Sequence, residues 1–168
     1  VFNPWVDKLG EASDVDIIDF DTLLEAVRKR HDFFHSQGCR LSDHGLERFQ
    51  FVEGSDSEVN TIFRNARNGI DIGPEDVVKF QTRMLYEFAV INHEKGWTQQ
   101  LHIGALRNNN TRMFNALGPD AGFDSMADSD CARPLSRFLD RLDRDDRLTK
   151  TIVYNLNPNM NETLAPMI

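Results

Sequence analysis

Apolar positions along this chain recur at two periods, one helical and one extended. From about Asp21 to Gln37, Leu23, Leu24, Val27 and Phe34 return at helical spacing, which predicts a helix. Asp19 or Asp21 can cap its start, and Gly38 stands where a helix usually stops. Cys39-Arg40-Leu41-Ser42 is short enough for a buried strand running into Asp43-His44-Gly45. Ser55 with Glu58 three residues on has the form of a capping box, opening a helix to about Asn68-Gly69. Gly73-Pro74-Glu75-Asp76 opens another, with proline at the first position and acids in the first turn. Val77, Val78, Met84, Leu85, Phe88 and Ile91 give that helix its apolar face, and Lys95-Gly96 closes it. Thr98 to Ile103 reads as a strand broken at Gly104, followed by a polar loop from Arg107 through about Ser125. A helix is predicted from about Asp130 to Asp143, with Leu135, Phe138, Leu139 and Leu142 on one side. Lys150 to Leu156 is rich in β-branched residues and predicts the last strand, and a helical segment begins after Asn157-Pro158.

Strands alternating with helices imply crossover units, a parallel sheet and an α/β fold. Three parallel strands alone would leave two long apolar edges, which natural proteins avoid. The sheet is therefore expected to be completed by further chain, or by edge pairing in a homo-oligomer. The start at Val1 and the apolar stretch Leu164-Ala165-Pro166-Met167-Ile168 favour the first route, with residues 1–168 as an internal piece.

Composition narrows the classes. Apolar residues make up 40% of the 168, and twelve are Phe, enough for a packed core rather than disorder. A formal net charge of -8 argues against nucleic-acid binding and against adhesion to an anionic membrane. No apolar run reaches the roughly 18 residues needed to span a bilayer. Cys39 and Cys131 form no paired motif, so no disulfide is expected and a reduced, cytoplasmic setting fits.

In parallel α/β architectures, ligands bind at the carboxyl ends of strands. The first strand exit carries Asp43 and His44, the second His102 before Gly104, and the third Tyr154, Asn155 and Asn157. Alternation turns His102 away from Leu101 and Ile103, which in a barrel places it inside, near the top. A core histidine satisfied by one hydrogen bond is the plainer alternative, against which the strand-exit position weighs. Asp43-His44 could be an acid–imidazole pair, metal ligands, or ordinary turn chemistry before Gly45. Two adjacent extended residues point to opposite sides, so one of them is expected to enter a site. Arg107 and Arg112 could hold an anionic substrate bidentately, or be exposed loop arginines. His31 and His35 share one helix face without an evident third ligand, which is weak support for a metal there.

The stretches Gln100-Leu101-His102-Ile103-Gly104-Ala105-Leu106-Arg107-Asn108-Asn109-Asn110-Thr111-Arg112-Met113-Phe114 and Gly118-Pro119-Asp120-Ala121-Gly122-Phe123-Asp124-Ser125 resemble the signature of uronate isomerases. So do Leu135 to Asp140, Lys150 to Pro158 and Gly38 to Gly45, and the resemblance extends over essentially the whole chain. It implies a metal-dependent (β/α)₈ (TIM) barrel of the amidohydrolase superfamily, in a chain far longer than this one. The three strands here would be its fourth to sixth. The implied activity interconverts glucuronate with fructuronate, and galacturonate with tagaturonate. His102 matches an active-site histidine and is expected to touch the metal or its bound oxygen. Asp43 and His44 match the end of the fourth strand. Arg107, Arg112 and Asn155 are the expected contacts to substrate. The cofactor implied is a divalent metal, with zinc the expected ion and its principal ligands outside this chain, so the fragment is expected to be inactive alone. Pro166 departs from the pattern, in a segment expected to be helical.

Two other readings compete. One is a self-contained small α/β domain that binds a sugar acid or a partner without catalysis. The other is an amidohydrolase-like metal hydrolase, from which the Arg107 to Arg112 loop distinguishes the isomerases.

Overall fold

The structure is a computed structural model and describes residues 2–128 and 130–167. The chain opens with two helices, α1 (Phe2–Ser13) and α2 (Phe20–Ser36), ahead of the first strand, β1 (Leu41–Leu46). Helices α3 (Asp56–Arg67) and α4 (Pro74–Lys95) lead to β2 (Thr98–Ile103). An excursion of β3 (Ala105–Leu106), α5 (Thr111–Leu117) and β4 (Ser125–Met126) precedes α6 (Ala132–Arg144) and β5 (Thr151–Asn155). The chain closes with a 3₁₀ turn at Pro158–Met160, the single turn α7 (Asn161–Leu164) and a second 3₁₀ turn at Ala165–Met167.

Local chemistry sets the helix ends. Asp19 accepts the Thr22 N–H at 2.9 Å, so the cap is Asp19 and not Asp21. Ser55 and Glu58 form the expected reciprocal box at the start of α3. Gly96 ends α4 at φ +67, a left-handed conformation that glycine adopts without steric cost. The segment containing Pro166 tightens into a 3₁₀ turn instead of continuing α7, which accords with a ring that cannot donate to the helix ladder.

β1, β2 and β5 form one parallel sheet in the order β1-β2-β5. Helix α4 serves two cores at once. Met84 and Ile91 pack with Phe20, Leu23 and Phe63 in a cluster under α1 to α3. Leu85, Ala89 and Val90 pack with Leu101, Ile103 and the buried face of α6 at Phe138. The helices therefore cover one face of the sheet and leave the other open.

Three expectations need correction. Helix α1 was not foreseen, although Phe2, Val6 and Leu9 follow helical spacing and Val6 is fully buried. The first strand is Leu41–Leu46 rather than Cys39 to Ser42, so Asp43, His44 and Gly45 are strand residues and not a turn. The polar loop contains α5, and the β3–β4 ribbon clips its base by pairing Ala105 with Met126 and Leu106 with Ser125.

Candidate active site

Strand alternation sorts the candidate residues. Leu41, Asp43 and Gly45 lie on the open face of β1, and Ser42, His44 and Leu46 face the helices. On β2, Gln100 and His102 share the open face, and Gln99, Leu101 and Ile103 are buried beneath it. The parallel register sets Asp43 beside Gln100 and Gly45 beside His102 on one side, and His102 beside Tyr154 on the other. Gly104 follows at φ +100, turning the chain off the sheet immediately after His102.

The result is a compact polar group on an otherwise apolar-edged face. His102 Nδ1 lies 2.5 Å from Asp43 Oδ1, with the two side chains 46% and 49% exposed. A carboxylate accepts the Nδ1–H and fixes the tautomer, so Nε2 of the neutral ring keeps its lone pair for other work. The Tyr154 ring stacks on the imidazole, 4.2 Å between centroids and 10° from parallel. Gln100 Nε2 donates to the Tyr154 hydroxyl at 3.2 Å. Tyr154 was named only at the third strand exit and Gln100 was given no role, yet both follow from His102 by counting two along β2 and one across to β5.

Other assigned residues go elsewhere. His44 points into the helix layer, where it stacks on Phe88 with centroids 5.2 Å apart and lies 3.2 Å from Ser42 Oγ. Burial pushes its imidazole pKa down, and the Asp43 charge opposes this. The opposite orientations of Asp43 and His44 follow from the two-residue period of a strand, and Asp43 is the one beside His102. Asn155 also lies off the open face, donating from Nδ2 to the Asn157 carbonyl and, at 3.1 Å, to Asn161 Oδ1. It braces the turn after β5.

Arg107 and Arg112 differ in the same way. Arg107 Nη1 donates to Asp124 Oδ2 at 2.6 Å, and the Asn108 N–H donates to the other oxygen of that carboxylate at 2.9 Å. These two hydrogen bonds, the backbone one first, hold the Asp124 pKa below the usual carboxylate range. Arg107 thus closes its own loop. Arg112 sits exposed in the first turn of α5 and, among the described residues, forms no salt bridge. The asparagines mostly serve backbone: Asn110 caps α5 and Asn109 Nδ2 donates to the Leu106 carbonyl at 2.6 Å.

Among the described residues, no three His, Cys, Asp or Glu side chains converge in a way that could hold a metal ion. His31 and His35 instead flank Trp97: the His31 ring lies tilted against it, 3.9 Å between centroids and 32° from parallel, and the indole N–H donates to His35 Nδ1 at 2.9 Å. His102 is different in kind. Its carboxylate-braced Nδ1 and outward Nε2 fit the chemistry of a single metal ligand with an outer-shell partner. Cys39 and Cys131 are both free thiols.

Residues 1–168 match the family described as glucuronate isomerase. The chain belongs to that family. A uronate isomerase of Bacteroides thetaiotaomicron is 51% identical over 167 residues, and one of Cellvibrio japonicus is 50% identical; each alignment covers 99% of this chain and 36% of the relative. The crystal structure of uronate isomerase from Thermotoga maritima superposes with a TM-score of 0.92 at 30% identity, over 99% of this chain and 36% of that one. Glucuronate isomerase from Caulobacter crescentus gives 0.86 at 31% identity, over 96% and 34%. This chain therefore spans about a third of the length of the glucuronate isomerase family members it matches.

Proposed function

We propose that this chain supplies the fourth to sixth strands of a (β/α)₈ barrel, within a longer uronate isomerase. The enzyme would interconvert D-glucuronate with D-fructuronate and D-galacturonate with D-tagaturonate. The observation that carries the reading is the Asp43–His102 pair on the uncovered sheet face, in a chain about half identical to proteins named uronate isomerase. An apolar cleft beside β5, lined by Leu135, Leu139, Ile152, Val153, Leu164 and Met167, suits a further strand and helix. The two free thiols suit a reducing compartment such as the cytoplasm.

The reaction moves two hydrogens, one from C2 to C1 and one from the C2 oxygen to the C1 oxygen. A base removes the proton from C2 of the aldose as the C1 carbonyl oxygen is protonated, giving an enediol. The hydroxyl at C2 then yields its proton to become the ketone, and C1 gains a hydrogen. His102, with Nδ1–H committed to Asp43, presents a basic Nε2 that can accept or return a proton at a substrate oxygen. The stacked Tyr154 ring holds the imidazole plane. Arg112, exposed and outside any salt bridge among the described residues, is the candidate for the substrate carboxylate. In the amidohydrolase-type site implied by the resemblance, the same Nε2 lone pair would instead ligate a divalent ion such as zinc, which when bound would supply Lewis-acid polarisation of substrate oxygens, and the proton transfer would then fall to another base.

Proton NMR of D-glucuronate in deuterated buffer, with the full-length protein and added divalent metal, tests this. The expected result is conversion to the ketose with deuterium entering at C1 or C2. No conversion of glucuronate or galacturonate by folded, metal-loaded protein would overturn the isomerase reading. Cleavage of an ester or amide in its place would point to a hydrolase.

A further inference from the structure

Asn92 is an anomaly of composition. It lies on α4 directly after Val90 and Ile91, all three buried, and is itself 1% exposed. A leucine would pack there without needing hydrogen bonds, whereas a buried amide is costly unless its atoms are paired. Both atoms are paired, each to a different element. Oδ1 accepts from His31 Nε2 of α2 at 3.2 Å, and Nδ2 donates to Ser42 Oγ of β1 at 2.8 Å. Ser42 Oγ in turn lies 3.2 Å from His44 Nε2. The chain His31–Asn92–Ser42–His44 thus ties two helices to the underside of one strand.

That strand carries the site. Ser42 immediately precedes Asp43, and the pleat sends adjacent side chains to opposite faces. A Ser42 hydroxyl held down into the helix layer leaves the Asp43 carboxylate on the open face, where it meets His102 Nδ1. Asp43 is about half exposed, so packing does little to aim it. What aims Asp43 is the position of the β1 backbone.

We propose that Asn92, acting through Ser42, is a positioning residue for the Asp43–His102 pair. The proposal rests on the isomerase reading for its kinetic consequence, but not for its structural one. The test uses the full-length protein with Asn92→Ala, Ser42→Ala and Ser42→Thr. In the two alanine variants kcat on D-glucuronate falls about 10-fold, the lower end for outer-shell partners of active-site histidines, with KM nearly unchanged. In ¹⁵N-histidine spectra the His102 Nδ1 signal moves away from its carboxylate-bonded position. Ser42→Thr keeps the hydroxyl and restores both. Ser42→Ala removes a single oxygen and so decides the matter if Asn92→Ala fails to fold. Unchanged kcat and an unchanged His102 signal in folded Ser42→Ala would overturn the proposal. So would a loss of activity that merely follows the unfolded fraction. If the wild-type protein converts no uronate, the functional reading fails, and the His102 signal in the same variants still decides the positioning claim.

Discussion

The two faces of the sheet solve opposite problems with residues one position apart. Leu101 and Ile103 are sealed under α4 and α6, and His102 between them stands half exposed on the open face. The helix side is held by shape: Phe138, Leu135 and Leu142 are each essentially inaccessible, and the side chains around them fill the space. The open side is held by directed contacts, the Asp43–His102 hydrogen bond and the Tyr154 stack, with Leu41 and Ile152 exposed around them. The polar group stands on the face that packing leaves uncovered, where an imidazole has room to meet a ligand. The other face supplies the rigidity.

Neighbouring substitutions on β2 should separate these roles most sharply. In the full-length protein, His102→Ala should lower kcat by about 10²–10⁴-fold, the usual range for a general acid–base group. As a partly exposed site it should change urea-unfolding stability by no more than about 0.5 kcal/mol. Leu101→Ala should do the reverse, costing about 2–5 kcal/mol of stability through a cavity under the helices. The kcat of its folded fraction should fall far less. If both variants lost stability equally, the division of labour between the faces would be wrong.

A smaller effect concerns the helix side alone. Burial pushes the pKa of His31 below 6.5, opposed by its hydrogen bond to Asn92, and burial does the same for His44. Above pH 6.5 both are neutral in folded and unfolded chains alike. As pH falls through 6.5 the unfolded state takes up protons first, so stability should decline until the lower folded pKa values are reached. Replacing His31 with Gln, which keeps an N–H for Asn92, should flatten that decline in melting temperature as pH falls below 6.5.

The smallest effect lies far from either face. Hydrogen bonds from the Ser55 backbone and hydroxyl, with help from Lys79, lower Glu58 from 4.5 to about 2. Its contribution is present above pH 4.5 and disappears as pH falls towards about 2. Melting curves of the wild type and Glu58→Gln should differ slightly at pH 7 and converge at the acid end.

Most element types were legible because local rules dominate them. The Ser55–Glu58 box, Pro74 and Gly96 mark helix ends through backbone hydrogen bonding and φ, which neighbours in sequence largely decide. Helix α1 was missed although Phe2, Val6 and Leu9 follow helical spacing, because Gly10 and Pro4 weaken the signal. The short α5 was hidden inside a polar loop, since seven residues with none buried carry almost no apolar period. The site was half legible. His102, Asp43 and Tyr154 could be named from strand position, whereas Gln100 and the pairing of these groups required the register across β1, β2 and β5.

The sequence by itself determined the parallel α/β layout, the strand alternation that sets Asp43 against His44, and the family. Each depends on contacts within a few residues, or on identity spread along the whole chain. Only the tertiary structure decided that Asp43 reaches His102 across 59 positions, that Arg107 turns back on Asp124, and that Asn92 bridges His31 and Ser42. Those partners are chosen by how layers pack, and no local period encodes which buried amide will find which hydroxyl.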